Sequence, residues 1–257
     1  MLEVLSRSDE PVGVAQLARL LSVPTSNAHR VLLTLYRADY AARDTTGTKY
    51  ELGVAAQELV HAFLRRFPIQ APSQPMLRRL AAETGDTVVL TSRVGWYAVR
   101  IAGIEGSHEI HHAPRLGQSA LLEATPGGLC ILAFMDPALL GRYVRWRGDE
   151  LTSDGIRQLN ETLDSARERG YVLQAHRDGR ADIAMPVRNT NRDVVSAIVI
   201  EAVDPEGGAR AERHLVSRMR VTVKELEDLL SQRAELAIDP FAHVEPEDLV
   251  SVPGLDG

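Results

Sequence analysis

An α+β protein built in two parts is expected from this sequence: an N-terminal winged helix-turn-helix, a linker helix, and a C-terminal domain in which helices flank a central antiparallel sheet. Three observations carry that expectation. The first 52 residues run as helix, tight turn, helix and hairpin. Beyond residue 68, several strand-like runs have only a turn between them, which implies antiparallel pairing. Prolines at 68, 72 and 75 punctuate the chain between the two regions. A length of 257 residues, with 44% apolar and 25% charged content, suits one large domain or two small ones. Disorder or a fibrous repeat over the chain as a whole is excluded.

Residues 14–21 (VAQLARLL) read as a short apolar helix, and Ser22, Val23, Pro24 and Thr25 supply turn and helix-start chemistry. A second helix is expected over residues 25–38. Its Ala28, Leu32 and Leu35 recur at i, i+4 and i+7 and face a core, while Ser26, Asn27, Arg30, Thr34 and Arg37 form the opposite face. Strands over residues 40–43 and 49–52 follow, joined by a five-residue tip whose Gly47 permits a positive φ. This is the outline of a winged helix-turn-helix over residues 1–52.

The stretch VAAQELVHAFLRRF after Gly53 reads as a linker helix, residues 53–67, brought to an end by Pro68, Pro72 and Pro75. The larger domain spans residues 68–232. Helices are expected at 75–84, 126–135, 137–145, 154–169 and 211–230, and strands at 87–93, 96–104, 109–113, 171–175, 182–188 and 194–203. The last 25 residues hold three prolines and a strong negative bias, and are expected to be an acidic flexible tail, 233–257.

The formal net charge of -6 argues mildly against a surface that is all nucleic-acid sleeve. Segmentation changes that reading. Residues 1–66 hold 8 basic and 7 acidic side chains, residues 67–232 hold 20 and 22, and residues 233–257 hold 1 and 6. Most of the acidity therefore belongs to the tail. The single Cys130 cannot close an intrachain disulfide, and no CxxC pair exists for a structural metal, so a reducing cytoplasm is expected. No apolar run approaches the roughly 18 residues that span a bilayer, so no membrane partner is expected.

A helix that enters a major groove needs short polar or forked side chains at its N-terminal end and an apolar face against its partner helix. The segment PTSNAHR meets both needs. Asn27 has the geometry to read adenine, Arg30 guanine or a phosphate, and Thr25 and Ser26 phosphates or base edges. His29 lies in the same first turns. On the wing, Arg43 and Lys49 would meet the adjacent backbone or minor groove. The alternative is a small helical subdomain with a polar outer face.

The run VAQLARLLSVPTSNAHRVLLTLYRADYAARDTTGTKYELG resembles the DNA-binding domain of IclR-type transcription regulators. The resemblance extends to about residue 230 through LGQSALLEATPGGLCILAF, DIAMPV and the run 194–203. It implies a ligand-responsive transcription regulator: a winged helix-turn-helix on a palindromic operator, double-stranded DNA as partner, a C-terminal effector-binding domain for a small molecule, and a homodimer or tetramer. The family's effector contacts imply a pocket at Thr125, Pro126 and Gly127, with Asp182, Val199 and Glu201 on the closing strands; His112, on its own strand, is expected to point toward it. The chain departs from the family's usual residues at Thr25, Pro126 and Leu129.

Strand alternation places Ala197, Val199 and Glu201 on one face and Ile198, Ile200 and Ala202 on the other. Two carboxylates near one cavity would disfavour an anionic effector and suit a cationic or hydroxyl-rich one. Alternatively Asp182 and Glu201 are structural, satisfied by Arg180, Arg188 or backbone amides.

An enzyme reading must meet His108-Glu109-Ile110-His111-His112, which matches HExxH. That chemistry needs both histidines on one helix face. Gly103, Gly106 and Pro114 leave too little room for a stable helix, and on a strand His108 and His112 would stand roughly 13 Å apart. No nucleophile elbow or phosphate loop is present, and Cys130 sits in an apolar helix as a core residue. No enzyme activity, cofactor or metal is therefore expected. A metal-dependent hydrolase and a small-molecule-sensing protein-interaction module stand as the alternatives.

Overall fold

The computed structural model describes residues 1–8, 10–107, 114–176, 180–203 and 208–237. The chain divides into two compact units, Met1–Arg66 and Phe67–Gly257.

In the first unit, α1 (Leu2–Arg7) and β1 (Val12–Gly13) precede α2 (Val14–Leu20) and α3 (Thr25–Arg37). The wing strands β2 (Ala41–Arg43) and β3 (Lys49–Leu52) and the linker helix α4 (Val54–Leu64) complete it. Ala28 and Leu32 of α3 are fully buried, as the i, i+4 spacing requires, and α3 packs on α2. Two elements escaped the sequence reading. The six residues of α1 and the two of β1 are too short to show a period, yet Leu5 and Val12 enter a core with Leu17, Leu32, Ala41 and Tyr50. Val12 pairs with Tyr50, so β1 makes the wing a three-stranded antiparallel sheet in the order β1-β3-β2.

The second unit opens with α5 (Gln70–Thr84), β4 (Thr87–Val94) and β5 (Tyr97–Ile104). Next come β6 (Ser119–Leu121), α6 (Pro126–Phe134), α7 (Pro137–Arg147) and α8 (Ser153–Arg169). The unit closes with β7 (Val172–Ala175), β8 (Ala181–Arg188), β9 (Val194–Val203) and α9 (Gly208–Gln232). Its sheet is antiparallel throughout, in the order β6-β5-β4-β9-β8-β7. One face carries Val89, Ala98, Ala184, Ala197 and Val199 against α6, α7 and α8. The helices α5 and α9 pack on strands β4, β5 and β8 and on each other. Buried on both faces, the central strands read as near-continuous apolar runs rather than strict alternation.

Three expectations need adjustment. Helix α5 begins at Gln70, not residue 75: Pro72 falls in its first turn, where a missing N–H goes unpaired anyway, and Pro75 is accommodated in the interior. Ser73, Leu77, Leu80 and Ala81 bury one face of α5, and that tertiary packing outweighs the hydrogen bond the proline forfeits. Strand β6 was not expected, because three residues carry little pattern; the strand expected at 109–113 lies outside the described residues. The expected tail does not start free. A 3-10 turn, Ala234–Ala237, follows α9, and Leu236 is only 4% exposed.

Candidate functional site

Helix α3 starts after Pro24, whose carbonyl accepts from the amides of Asn27 and Ala28 at 3.0 and 3.1 Å. Thr25, Ser26, Asn27, His29 and Arg30 are all exposed in its first two turns. Arg43 and Lys49 are exposed on the wing. The sequence did not reveal what holds Arg43. Its guanidinium carbon lies 5.2 Å from the ring centroid of Tyr36 and 5.6 Å from that of Tyr50, and the two rings meet edge-on at 6.4 Å. Tyr36 is on α3 and Tyr50 on β3, so this cluster fixes the wing cation to α3.

The wing tip is set by Asp44. Its Oδ1 accepts from the amides of Thr48 and Lys49, each at 3.0 Å, and its Oδ2 from the Thr46 hydroxyl at 2.6 Å. The Thr46 hydroxyl, followed by the Lys49 amide, holds the Asp44 carboxyl below its ordinary value.

In the second unit, Thr125 caps α6: its hydroxyl accepts from the Gly128 amide at 3.0 Å, and Pro126 takes the first helical position. The glycines answer to close approach. A Cβ on Gly127 would lie 2.9 Å from the Thr91 side chain, and one on Gly128 would lie 2.2 Å from the Leu122 carbonyl oxygen. This brings the start of α6 onto the sheet, and Thr125, Pro126, Gly127, Val199 and Glu201 line one cavity of about 60 Å³ with Arg100. That volume holds about two waters.

One of the expected pocket residues falls elsewhere and one is not described. His112 lies outside the described residues. Asp182 is buried on β8 but does not line the cavity; its Oδ2 pairs with Nε2 of His176 at 3.0 Å. The expected excess of negative charge is also corrected, because Arg100 grips Glu201 at 2.6 and 3.1 Å. Arg188 serves neither carboxylate: its guanidinium stacks on Phe134 at 4.9 Å and its amide donates to Glu227. With Glu201 neutralised and a helix N-terminus at the cavity wall, the cavity has lost its reason to reject anions.

Cys130 is fully buried in α6, and desolvation pushes its thiol far above the usual range. Among the described residues no three His, Cys, Asp or Glu side chains gather as metal ligands; the HEIHH segment lies outside them. Among the same residues no helix is long and apolar enough to cross a membrane.

An exposed polar reading helix with a wing, joined to an α+β unit with a capped-helix cavity, defines a DNA-binding transcription regulator of the helix-turn-helix class. Family models agree on both parts. The IclR helix-turn-helix domain matches residues 1–45, and the bacterial transcriptional regulator IclR C-terminal domain matches residues 61–228. The chain belongs to the IclR family.

The HTH-type transcriptional regulator KipR of Bacillus subtilis is 25% identical over 195 residues, covering 73% of this chain and 77% of KipR. The HTH-type transcriptional repressor AllR of Escherichia coli is 25% identical over 245 residues, covering 92% and 89%. The same fold occurs in the Thermotoga maritima IclR structure, with a TM-score of 0.69, 24% identity and coverage of 92% and 96%. It recurs in an IclR homologue from Microbacterium hydrocarbonoxydans solved with 4-hydroxybenzoate, with a TM-score of 0.68, 19% identity and coverage of 88% and 94%.

Proposed function

We propose that this chain is a cytoplasmic, non-enzymatic repressor that works without cofactor or metal, as a homodimer or a pair of dimers on a palindromic operator. Thr25, Ser26, Asn27, His29 and Arg30 face the major groove, and Arg43 and Lys49 the flanking backbone or minor groove. The observation that carries this reading is the run of exposed polar side chains at the start of α3, with Arg43 held beside it by two tyrosine rings. Repression accords with the name of AllR.

The effector takes the place of Glu201 on Arg100, and the release of Glu201 widens the cavity at Thr125, Pro126 and Gly127 beyond its 60 Å³, with Val199 as apolar floor and Asp182 and His112 as outer contacts. A small carboxylate or hydroxyl-bearing molecule suits these groups, and the Microbacterium homologue was solved with such a compound. The switch follows if the effector binds the operator-competent and operator-incompetent states with different affinity.

Fluorescence anisotropy on the DNA upstream of the gene tests this reading. Sequence-specific binding that weakens steeply with salt is expected, with losses of tenfold or more in Asn27→Ala and Arg30→Ala. Indifference at both positions would instead favour a small-molecule sensor that acts through protein partners.

A further inference from the structure

We propose that the second unit holds a second ligand site, distinct from the α6 N-terminal cavity, for a small carboxylate whose apolar body ends in a hydroxyl or carbonyl oxygen. The site is a cavity of about 580 Å³ at the other end of α6 and β9, within the range of small-molecule pockets. Ile131, Phe134, Met135 and Leu139 form its apolar wall, and Leu236 from the turn after α9 closes one side. The packing of Leu236 thus gives the start of the acidic segment a place in the architecture.

Two polar features point to the ligand. At the floor, Ser92 and Ser196 are 4% and 0% exposed, and their hydroxyls bond to each other at 2.5 Å. Two hydroxyls carry two protons, and the mutual bond uses one. Among the described residues neither hydroxyl has another partner, so one buried donor is left facing a cavity that both serines line. An oxygen acceptor on a ligand satisfies it. At the rim, Arg192 is held at φ 68°, a left-handed conformation that a non-glycine residue adopts only when its surroundings impose it. The Asn189–Asp193 turn imposes it: Asn189 Oδ1 accepts from the amides of Asn191 and Asp193, each at 2.9 Å.

Arg192 is exposed and has no ion-pair partner among the described residues. The acidic groups nearby are already engaged. Asp136 Oδ1 caps α7 through the amides of Ala138 and Leu139, and Asp193 Oδ2 accepts from Asn189 Nδ2. The second guanidinium in the lining, Arg93, donates to the Gly95 carbonyl. Arg192 is therefore the cation left to receive an anionic head, in the same lining as the apolar wall and the serine donor.

Calorimetric titration of the full chain with 8-hydroxyoctanoate, octanoate and octane-1,8-diol tests the site. Saturable binding of 8-hydroxyoctanoate is expected, tighter than octanoate. Arg192→Ala should weaken it at least tenfold while leaving the uncharged diol unaffected, and Ser196→Ala should remove the advantage over octanoate. Leu139→Trp should abolish binding by filling the cavity. If that variant melts early, Ala237→Trp at the rim, with its melting temperature checked, serves the same purpose. No saturable binding, a loss below tenfold in Arg192→Ala, or full binding in a folded Trp variant would overturn the proposal. Operator binding is measured apart from these titrations, so failure here leaves the regulator reading standing.

Discussion

Arg43, proposed as the wing contact, shows how one side chain is positioned by neighbours that are distant in sequence. Free in solvent, a wing arginine loses rotamer freedom when it docks on a phosphate. Held over Tyr36 and Tyr50, it has given up part of that freedom before DNA arrives. Tyr36→Ala should therefore lower operator affinity about two- to fivefold, the worth of an exposed cation–π contact. Tyr36→Phe, which keeps the ring, should restore it; equal losses in both would show the hydroxyl rather than the ring to matter. The candidate contacts themselves were readable because exposed polar residues at the start of a helix form a local pattern. The tyrosine clamp was not, because it depends on the β2–β3 register, which sets Arg43 opposite Tyr50. Asp182 illustrates the same limit: its pairing with His176 follows from the β7–β8 register, which sets Gln174 opposite Asp182. Cys130 is the simple case. With its thiol raised by burial, it should not react with a thiol reagent between pH 7 and 9 until denaturant unfolds the chain.

At the level of helices and hairpins, Asp44 and Gly128 each decide a connection. The Asp44 carboxyl is lowered in the folded wing, so the stabilisation it lends is complete above the unfolded value near 3.9 and is lost as pH falls through the lower folded value. Hydrogen exchange at the Thr48 and Lys49 amides should accordingly show no Asp44-dependent change in protection from pH 5 to 8. Asp44→Ala should speed that exchange across the whole range, and unchanged exchange would remove Asp44 from the turn's support. Gly128→Ala places a Cβ against the Leu122 backbone, which cannot yield as a side-chain tip would. About 3 kcal/mol is at stake, seen as a melting temperature lower by roughly 6–12 °C. The helices and long strands were readable from their periods, since each buries a face. The elements missed were the six-residue α1, the two-residue β1 and the three-residue β6, which exist only because a neighbouring strand or core accepts them.

A net charge of +1 over residues 1–66 is a modest footprint for a DNA reader, so one reading helix with one wing should bind weakly. In the proposed dimer, useful affinity comes from two such units on one duplex, where the second contact is effectively intramolecular. The first unit carries a surface suited to that pairing. Helix α4 leaves Val54 61% and Leu59 56% exposed, and Leu59 and Val60 border an apolar groove of about 400 Å³ shared with Leu2, Tyr40 and Leu52. Apolar exposure of this kind on a linker helix fits a symmetric contact with a second copy, because a two-fold axis presents the same stripe to itself. Leu59→Glu would put two like charges across that axis. The full chain carrying it should lose tenfold or more in affinity for the complete operator, measured by anisotropy, while its weak affinity for a single half-site stays within twofold. A variant that keeps full operator affinity would show that the two reading helices are spaced by contacts other than α4, and the groove would then need another occupant.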